Sequence, residues 1–409
     1  MLVLGPPCII PWRTKAPGEK GGWVTMEQSR PRVALVKCAD YEETRVEAAV
    51  REILAGLGGM ERFVQPGQKV FLKVNLLVPR AVEQAVTTHP AVVKAVVRQV
   101  QAAGGVVTMG DSPAGPYTVG ALKRSYRAAG LDQVAAETGA ALNFDLESVD
   151  LPHPEGKVLK SITVTRPIAE ADVVITLPKL KTHGLTVFTG AVKVLFGCIP
   201  GLLKAEYHLR MPDVRDFSDM LLDIATLVKP GLSIMDGIVG MEGEGPSSGR
   251  PRTIGLLLAS EDSVALDVVA CSVVGIKPAN ATTTRAAIAR GLSSGRLEDI
   301  DLVGPPFSTV QVTSFEAAVR VGNWRERLPR PLYSLAEGLF RPKPVTRLER
   351  CTGCGTCARL CPPQAIAMVD KRPRTDYDKC IRCFCCQEVC PESAVSIHRP
   401  WVARRVLGV

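Results

Sequence analysis

Between residues 32 and 320 short apolar runs alternate with longer amphipathic stretches. Val33–Cys38, Lys69–Asn75, Val106–Gly110, Ala171–Leu177, Leu232–Met235 and Thr253–Ala259 are brief and rich in Val, Ile and Leu. Continuous apolar character of this kind suits strands covered on both faces. Helical patterns lie between them. One runs from Glu42 to Leu57 and stops at Gly58-Gly59; another opens at His89-Pro90, runs through Gln101 and closes at Gly104-Gly105; a third follows from Ser263 to Val274. Pro near a helix start and Gly just past its end are the expected boundary residues. The alternation predicts an α/β domain over 32–321, a mostly parallel sheet with helices on both faces.

The pattern breaks at 322–345, where Pro329, Pro331, Pro342 and Pro344 bracket the apolar stretch Leu332 to Phe340. This segment reads as a linker carrying one amphipathic turn or helix. A small α+β ferredoxin-like module is expected over 346–400, followed by a basic tail at 401–409. Residues 1–31 read as an extension, either disordered or arising from a misplaced start codon, because Met26 stands just before the first strand. The apolar Met1–Trp12 stretch lacks a basic lead and a small-residue cleavage site, which argues against a secretory signal. No apolar run approaches the ~18–20 residues of a spanning helix, so no transmembrane segment is expected.

Cysteine usage changes the picture. Nine of the 13 cysteines crowd between Cys351 and Cys390. Without an export signal, such crowding indicates metal ligation in a reducing cytoplasm. Cys351-x-x-Cys354-x-x-Cys357-x-x-x-Cys361-Pro362 recurs 29 residues later as Cys380-x-x-Cys383-x-x-Cys386-x-x-x-Cys390-Pro391. Three closely spaced thiolates wrap one face of a cubane, and the fourth, followed by Pro, belongs to the other cluster. Two [4Fe–4S] clusters are therefore expected, one on Cys351, Cys354, Cys357 and Cys390 and one on Cys380, Cys383, Cys386 and Cys361. Structural zinc would call for cysteine pairs instead. Cys385, inside the second triplet, reads as a small buried residue.

The net charge of +9 is uneven: residues 341–409 hold 13 Lys/Arg against 6 Asp/Glu, and the rest 37 against 35. A basic patch can mark a nucleic acid or membrane partner. Cations that offset two anionic clusters are the simpler account, so no nucleic acid partner is expected.

In the large domain, four apolar runs end in polar groups: Asn75, Gly110-Asp111-Ser112, Pro178-Lys179 and Asp236. Parallel sheets bind ligands beyond the carboxyl ends of their strands. The densest segment is Lys179-Leu180-Lys181-Thr182-His183-Gly184, continuing to Thr189-Gly190 and Lys193. Its lysines suit a carboxylate or phosphate, and His183 suits proton transfer; the competing interpretation is a solvated loop with a surface histidine. Lys73, Asn75, Lys179 and Asp236 are the expected substrate contacts, with His183, Asp111 and Lys181 as catalytic candidates. His89 stands at a helix start that favours an anion, with Thr88 as the alternative cap. Tyr207-His208 is a further candidate. Gly245-Pro246-Ser247-Ser248-Gly249 mimics a nucleophile elbow, but Arg250-Pro251 forbids the following helix, and Gly237–Gly249 reads as a flexible loop or lid. Gly243-x-Gly245 is no dinucleotide fingerprint, and there is no Walker A sequence.

Lys73-Val74-Asn75-Leu76-Leu77, Thr88-His89-Pro90, Gly110-Asp111-Ser112-Pro113, Pro178-Lys179-Leu180-Lys181-Thr182-His183, Phe196-Gly197 and Met235-Asp236-Gly237 together resemble the domain of unknown function 362. The likeness spans about residues 32–320. It implies an iron–sulfur protein of prokaryotic, often anaerobic, metabolism, commonly with a C-terminal two-cluster ferredoxin, and supplies no reaction. The leading expectation is a cytoplasmic iron–sulfur oxidoreductase that exchanges electrons with an anionic small molecule and a redox partner protein. The alternative is a non-catalytic electron carrier or assembly scaffold, or an α/β domain whose clusters are structural or sensory. No sequence feature demands a flavin.

Overall fold

A computed structural model of the protein describes residues 30–317, 342–398 and 400. The N-terminal extension up to 29, the linker over 318–341 and the tail over 401–409 lie outside the described residues.

The large domain is built on one sheet, and the sequence pattern accounts for its core. Strands β1 (Arg32–Lys37), β2 (Lys69–Val74), β3 (Val106–Gly110) and β4 (Ala141–Leu142) come first, followed by a separate hairpin of β5 (Ser148–Pro152) and β6 (Ser161–Thr165). β7 (Val173–Leu177), β8 (Lys179–His183), β9 (Val187–Thr189), β10 (Leu232–Glu242), β11 (Arg250–Ser260) and β12 (Asp301–Val303) complete it. The order is β12-β1-β11-β10-β7-β2-β3-β4, with β8 and β9 branching from β10. β10, β7, β2, β3 and β4 are mutually parallel; β11 alone runs against both of its neighbours in the main path. The class is α/β, with a mostly parallel sheet.

Both faces are covered. In β1, Ala34 and Val36 pack with Val46, Val50 and Ile53 of helix Glu43–Gly56, whereas Val33 and Leu35 pack with Leu266, Val269 and Val273 of helix Ser263–Val273. Successive strand residues point to opposite faces, so one strand seeds two cores. β2 does the same: Val70, Leu72 and Val74 face one layer and Phe71 the other. Lys73 shares the parity of Phe71 and therefore emerges on that second face.

Two sequence expectations change here. Residues 179–183 form a buried strand, not a solvated loop. Period-two alternation puts Lys179, Lys181 and His183 on one side and sends Leu180 into the core. Secondly, 237–249 is not a flexible lid, because β10 runs on to Glu242 and β11 begins at Arg250, leaving 243–249 as the connection.

The C-terminal module begins with β13 (Lys343–Thr346), which pairs with β16 (Val395–His398); β14 (Ile366–Val369) and β15 (Arg372–Thr375) form a second hairpin. Each cysteine triplet leads into a short helix, Thr356–Arg359 and Cys385–Glu388. The β13 pairing places Lys343–Val345, within the stretch read as linker, inside the module.

Candidate functional site

Three of the four expected polar strand ends meet, because β3, β2 and β7 are parallel neighbours; Asp236 instead lies within β10, which runs on to Glu242. β2 leads to β3 on one side while β7 lies on its other side, which opens a crevice at the carboxyl ends. A cleft occupies that position. Lys73, Asn75, Asp111, Lys179, Lys181 and His183 all line it.

Each cation is held differently. Lys73 forms an ion pair with Asp111 at 2.7 Å, and Asp111 also accepts from the Leu76 amide at 2.8 Å. Gly197 makes room for the pair: a Cβ there would lie 2.1 Å from Asp111 Oδ1 and 2.6 Å from Lys73 Nζ. Lys179 Nζ donates to Asp236 Oδ2 and to the Tyr41 hydroxyl, both at 2.7 Å. Lys181 Nζ donates to the Val86 carbonyl at 2.7 Å, with Asn75 Oδ1 at 3.4 Å. Lys204 Nζ donates to Ser112 Oγ, the Ser112 carbonyl and the Ile199 carbonyl at 2.8–2.9 Å. Lys193 lies over the Phe196 ring at 5.5 Å. Among the described residues, Lys181, Lys193 and Lys204 form no ion pair.

Burial lowers these ammonium groups. Lys181 falls to about 7, mainly through desolvation and then through the nearby charges of Lys193 and Lys179. Lys204 also falls to about 7, again mainly through burial. Lys193 and Lys179 are lowered in the same way. The cleft therefore holds more cationic groups than carboxylates, several of them on the edge of losing a proton.

The wall opposite the sheet belongs to the cysteine module: Leu360, Cys385, Glu388 and Val389 line the same cleft. His183 Nδ1 accepts from the Leu185 amide at 3.0 Å, and Nε2 lies 3.0 Å from Glu388 Oε1. The first contact fixes the tautomer, so Nε2 carries the hydrogen and faces the carboxylate. Burial raises the Glu388 carboxyl, but His183, Lys193 and His208 outweigh it and hold the group at about 2. Burial lowers His183 to about 4. Nδ1 is thus engaged by backbone amides, and Nε2 faces an acid of the module, so His183 lies where the two domains meet. Further contacts fasten the module. Gln387 Nε2 donates to the Glu244 carbonyl at 2.8 Å, Arg347 pairs with Glu244 at 3.0 Å, and Arg80 donates to the carbonyls of Cys390 and Pro391. The 243–249 connection is a clamp on the module.

Not every expected residue reaches the cleft. Asp236 lies behind Lys179, accepting from Tyr41 Oη at 2.9 Å and the His89 amide at 3.0 Å, and does not line it. Its carboxylate orients a lysine and would repel an anion. His89 is no anion site: its ring stacks on Tyr41 at 3.6 Å, and its Nδ1 caps helix Pro90–Ala102 through the Ala91 amide. Thr88 donates instead to the Leu177 carbonyl at 2.6 Å. His208 lines the cleft, stacked on Phe217, whereas Tyr207 does not. Lys204 was missed from sequence, because on helix Leu203–Arg210 it is one cation among several polar residues.

In the module, Cys351, Cys354, Cys357 and Cys390 bound one cavity. Burial raises the Cys361 thiol, and the nearby Cys383 and Cys380 raise it further; Cys386 is raised by burial and then by Cys383, Cys380, Cys361 and Cys357. Cysteines of the two triplets therefore lie close to one another. Cys390 Sγ accepts from the Ala394 amide at 3.2 Å and Cys361 Sγ from the Ala365 amide at 3.3 Å. Soft sulfur donors around a cavity, with amide N–H groups on the sulfurs, fit an iron–sulfur cluster.

The fold and the paired cysteine groups define an α/β protein joined to an iron–sulfur electron-transfer module. Residues 343–391 match a 4Fe-4S dicluster domain, and residues 70–272 match the domain of unknown function DUF362. The thylakoid-associated protein sll1697 of Synechocystis sp. is 36% identical over 319 residues, covering 76% of this chain and 91% of its own length. The chain belongs to the DUF362 family. Among solved structures, the lactate racemase apoprotein from Thermoanaerobacterium thermosaccharolyticum aligns at 13% identity and a TM-score of 0.40, over 63% of this chain and 60% of its own. A Thermotoga maritima protein aligns at 14% and 0.33, over 56% and 57%. The chain thus spans less than two thirds of either solved protein. No helix among the described residues is long and apolar enough to cross a membrane.

Proposed function

We propose that the protein is an oxidoreductase that binds two [4Fe–4S] clusters and exchanges electrons with an anionic small molecule held in the lysine cleft. Cys351, Cys354, Cys357 and Cys390 would hold one cluster, and Cys380, Cys383, Cys386 and Cys361 the other. The observation that carries this is the shared wall: helix Cys385–Glu388 presents Cys385 and Glu388 to the lysines and carries the ligand Cys386. The clusters supply one-electron steps. Lys181, Lys193 and Lys204 attract the anion; Lys73 and Lys179, neutralised by Asp111 and Asp236, shape the floor and contribute hydrogen bonds. Lys181, lowered to about 7, is suited to deliver a proton near neutrality. Asp111 stays with Lys73, and His183 with Glu388 keeps the module seated. Leu77, Phe196 and Val389 line the same cleft, and such apolar walls strengthen the field on a bound anion.

The test is anaerobic reconstitution followed by iron counting and potentiometric EPR, then thermal-shift screening of carboxylates and phosphate esters. Two reversible clusters, and a ligand whose stabilisation vanishes in Lys181→Ala and Lys193→Ala, are expected. Clusters that cannot be reduced at any accessible potential would rule out electron transfer. A ligand response unchanged in both lysine variants would rule out the cleft.

A further inference from the structure

The two cysteine groups face different surroundings. Cys385, next to Cys386, lines the cleft of the large domain, and both are buried. In the first group Cys354 is exposed, the only cysteine so placed among the described residues. Two arginines hold the loop that carries it. Arg359 Nη1 donates to the Cys354 carbonyl at 2.9 Å, and Arg372 Nη1 to the Leu348 carbonyl at 2.9 Å and the Cys351 carbonyl at 3.3 Å. Lys371 packs on the same loop: a Cβ on Gly353 would lie 3.1 Å from Lys371 Cβ. Arg350, Arg359, Lys371, Arg372 and Arg374 are all exposed, and none forms an ion pair among the described residues; Glu349 and Asp370 are the exposed acids in this stretch, with Glu392 a third beside the same cavity.

Offsetting cluster charge does not require exposed side chains at one corner. An exposed cationic rim at the point of closest approach to a redox centre steers an oppositely charged partner and raises its association rate. We infer that the Cys354 rim is the docking surface for an acidic one-electron carrier protein, resting on the two-cluster assignment above. In the reducing direction the carrier loses one electron and the first cluster gains it; no bond forms and no proton moves. Charge would then travel inward from the first group, through the second, to the cleft wall at Cys385.

The probe is an acidic plant-type [2Fe–2S] ferredoxin, mixed with the cluster-loaded full chain. Binding is read by calorimetry with the ferredoxin oxidised, and electron transfer by anaerobic stopped flow. The variant is Lys371→Glu/Arg374→Glu, which touches no ligand and no carbonyl of the cluster loop. Binding that weakens at least tenfold in the variant and falls steeply with added salt, with dithionite reduction and iron content unchanged, is the expected result. Equal binding and equal rates in variant and parent would overturn the docking surface while leaving the clusters intact. Association with phosphatidylglycerol vesicles but not with ferredoxin would overturn it also, in favour of a membrane. Absent or irreducible clusters in the parent would instead sink the electron-transfer function itself.

Discussion

Affinity of the cleft for anions should fall steeply as pH rises through neutrality. Lys181 and Lys204 sit at about 7, chiefly because burial disfavours the ammonium. For Lys181, the cations of Lys193 and Lys179 add to that effect, and Glu388 and Asp111 oppose it. For Lys204, Asp111 opposes burial and Lys73 reinforces it. An anion seated among them favours the charged form and lifts both values, so binding takes up protons wherever the free lysines are partly neutral. Below about pH 6 both are charged and affinity is flat. Between about pH 6 and 8, one lysine with a free value near 7 and a bound value well above 8 gives roughly a tenfold loss. Two such lysines give roughly a hundredfold loss, or about 2.7 kcal/mol. Oxalate is a suitable probe because it stays fully ionised across this range. Calorimetry in two buffers of different ionisation enthalpy measures affinity and proton uptake together. Lys181→Met should remove about half of the slope. A flat affinity with no proton uptake across this interval would show that neither lysine changes charge on binding, and the electrostatic account of the cleft would fail.

Lys181→Met should raise the thermal midpoint of the ligand-free protein at pH 7. The parent buries an ammonium with no carboxylate partner, and the sign is clear: between about pH 7 and 10 the unfolded lysine binds more protons, so the parent's stability rises with pH there and the variant's does not. A midpoint that drops at pH 7, with the same pH slope as the parent, would refute this. Replacing Cys380 and Cys383 with Ser should leave about four irons and one EPR-active cluster, and adding Cys390→Ser should then abolish that remaining cluster; its survival would mean that Cys390 does not belong with the first triplet. Gly184→Val should loosen the module, because even a Cβ would fall 2.3 Å from Ile397 Cδ1. Overpacking of this kind costs about 1–3 kcal/mol, and slower dithionite-to-ligand electron flow with full iron content is expected; parent-like stability and flow would show that the contact is not needed.

Strands and helices were legible because aliphatic runs buried on both faces leave no other choice, and their polar ends could be placed at one edge once the strands were taken as parallel. What lay beyond reach was three-dimensional pairing. Lys179, Lys181 and His183 resemble a polar loop until the module covers them, and no local pattern announces that cover. Asp236 carries the same strand-end signal as Asp111, yet Tyr41 and the His89 amide draw it away from the cleft. Lys204 comes from a helix whose neighbours are equally polar, and only the Ser112 and Ile199 carbonyls reveal where it points. Counting charge then separates the roles. Lys73 and Lys179 have carboxylate partners, which suffices for folding. Lys181, Lys193 and Lys204 have none among the described residues, and Glu388, the acid that the module brings, is occupied by His183. Burying three unpaired cations costs stability that packing does not return, and a bound anion is the species that would offset it. The same docking that brings Glu388 also walls the cleft and sets Cys385 in that wall, so the proposed anion site and the proposed approach to a cluster both depend on one interface.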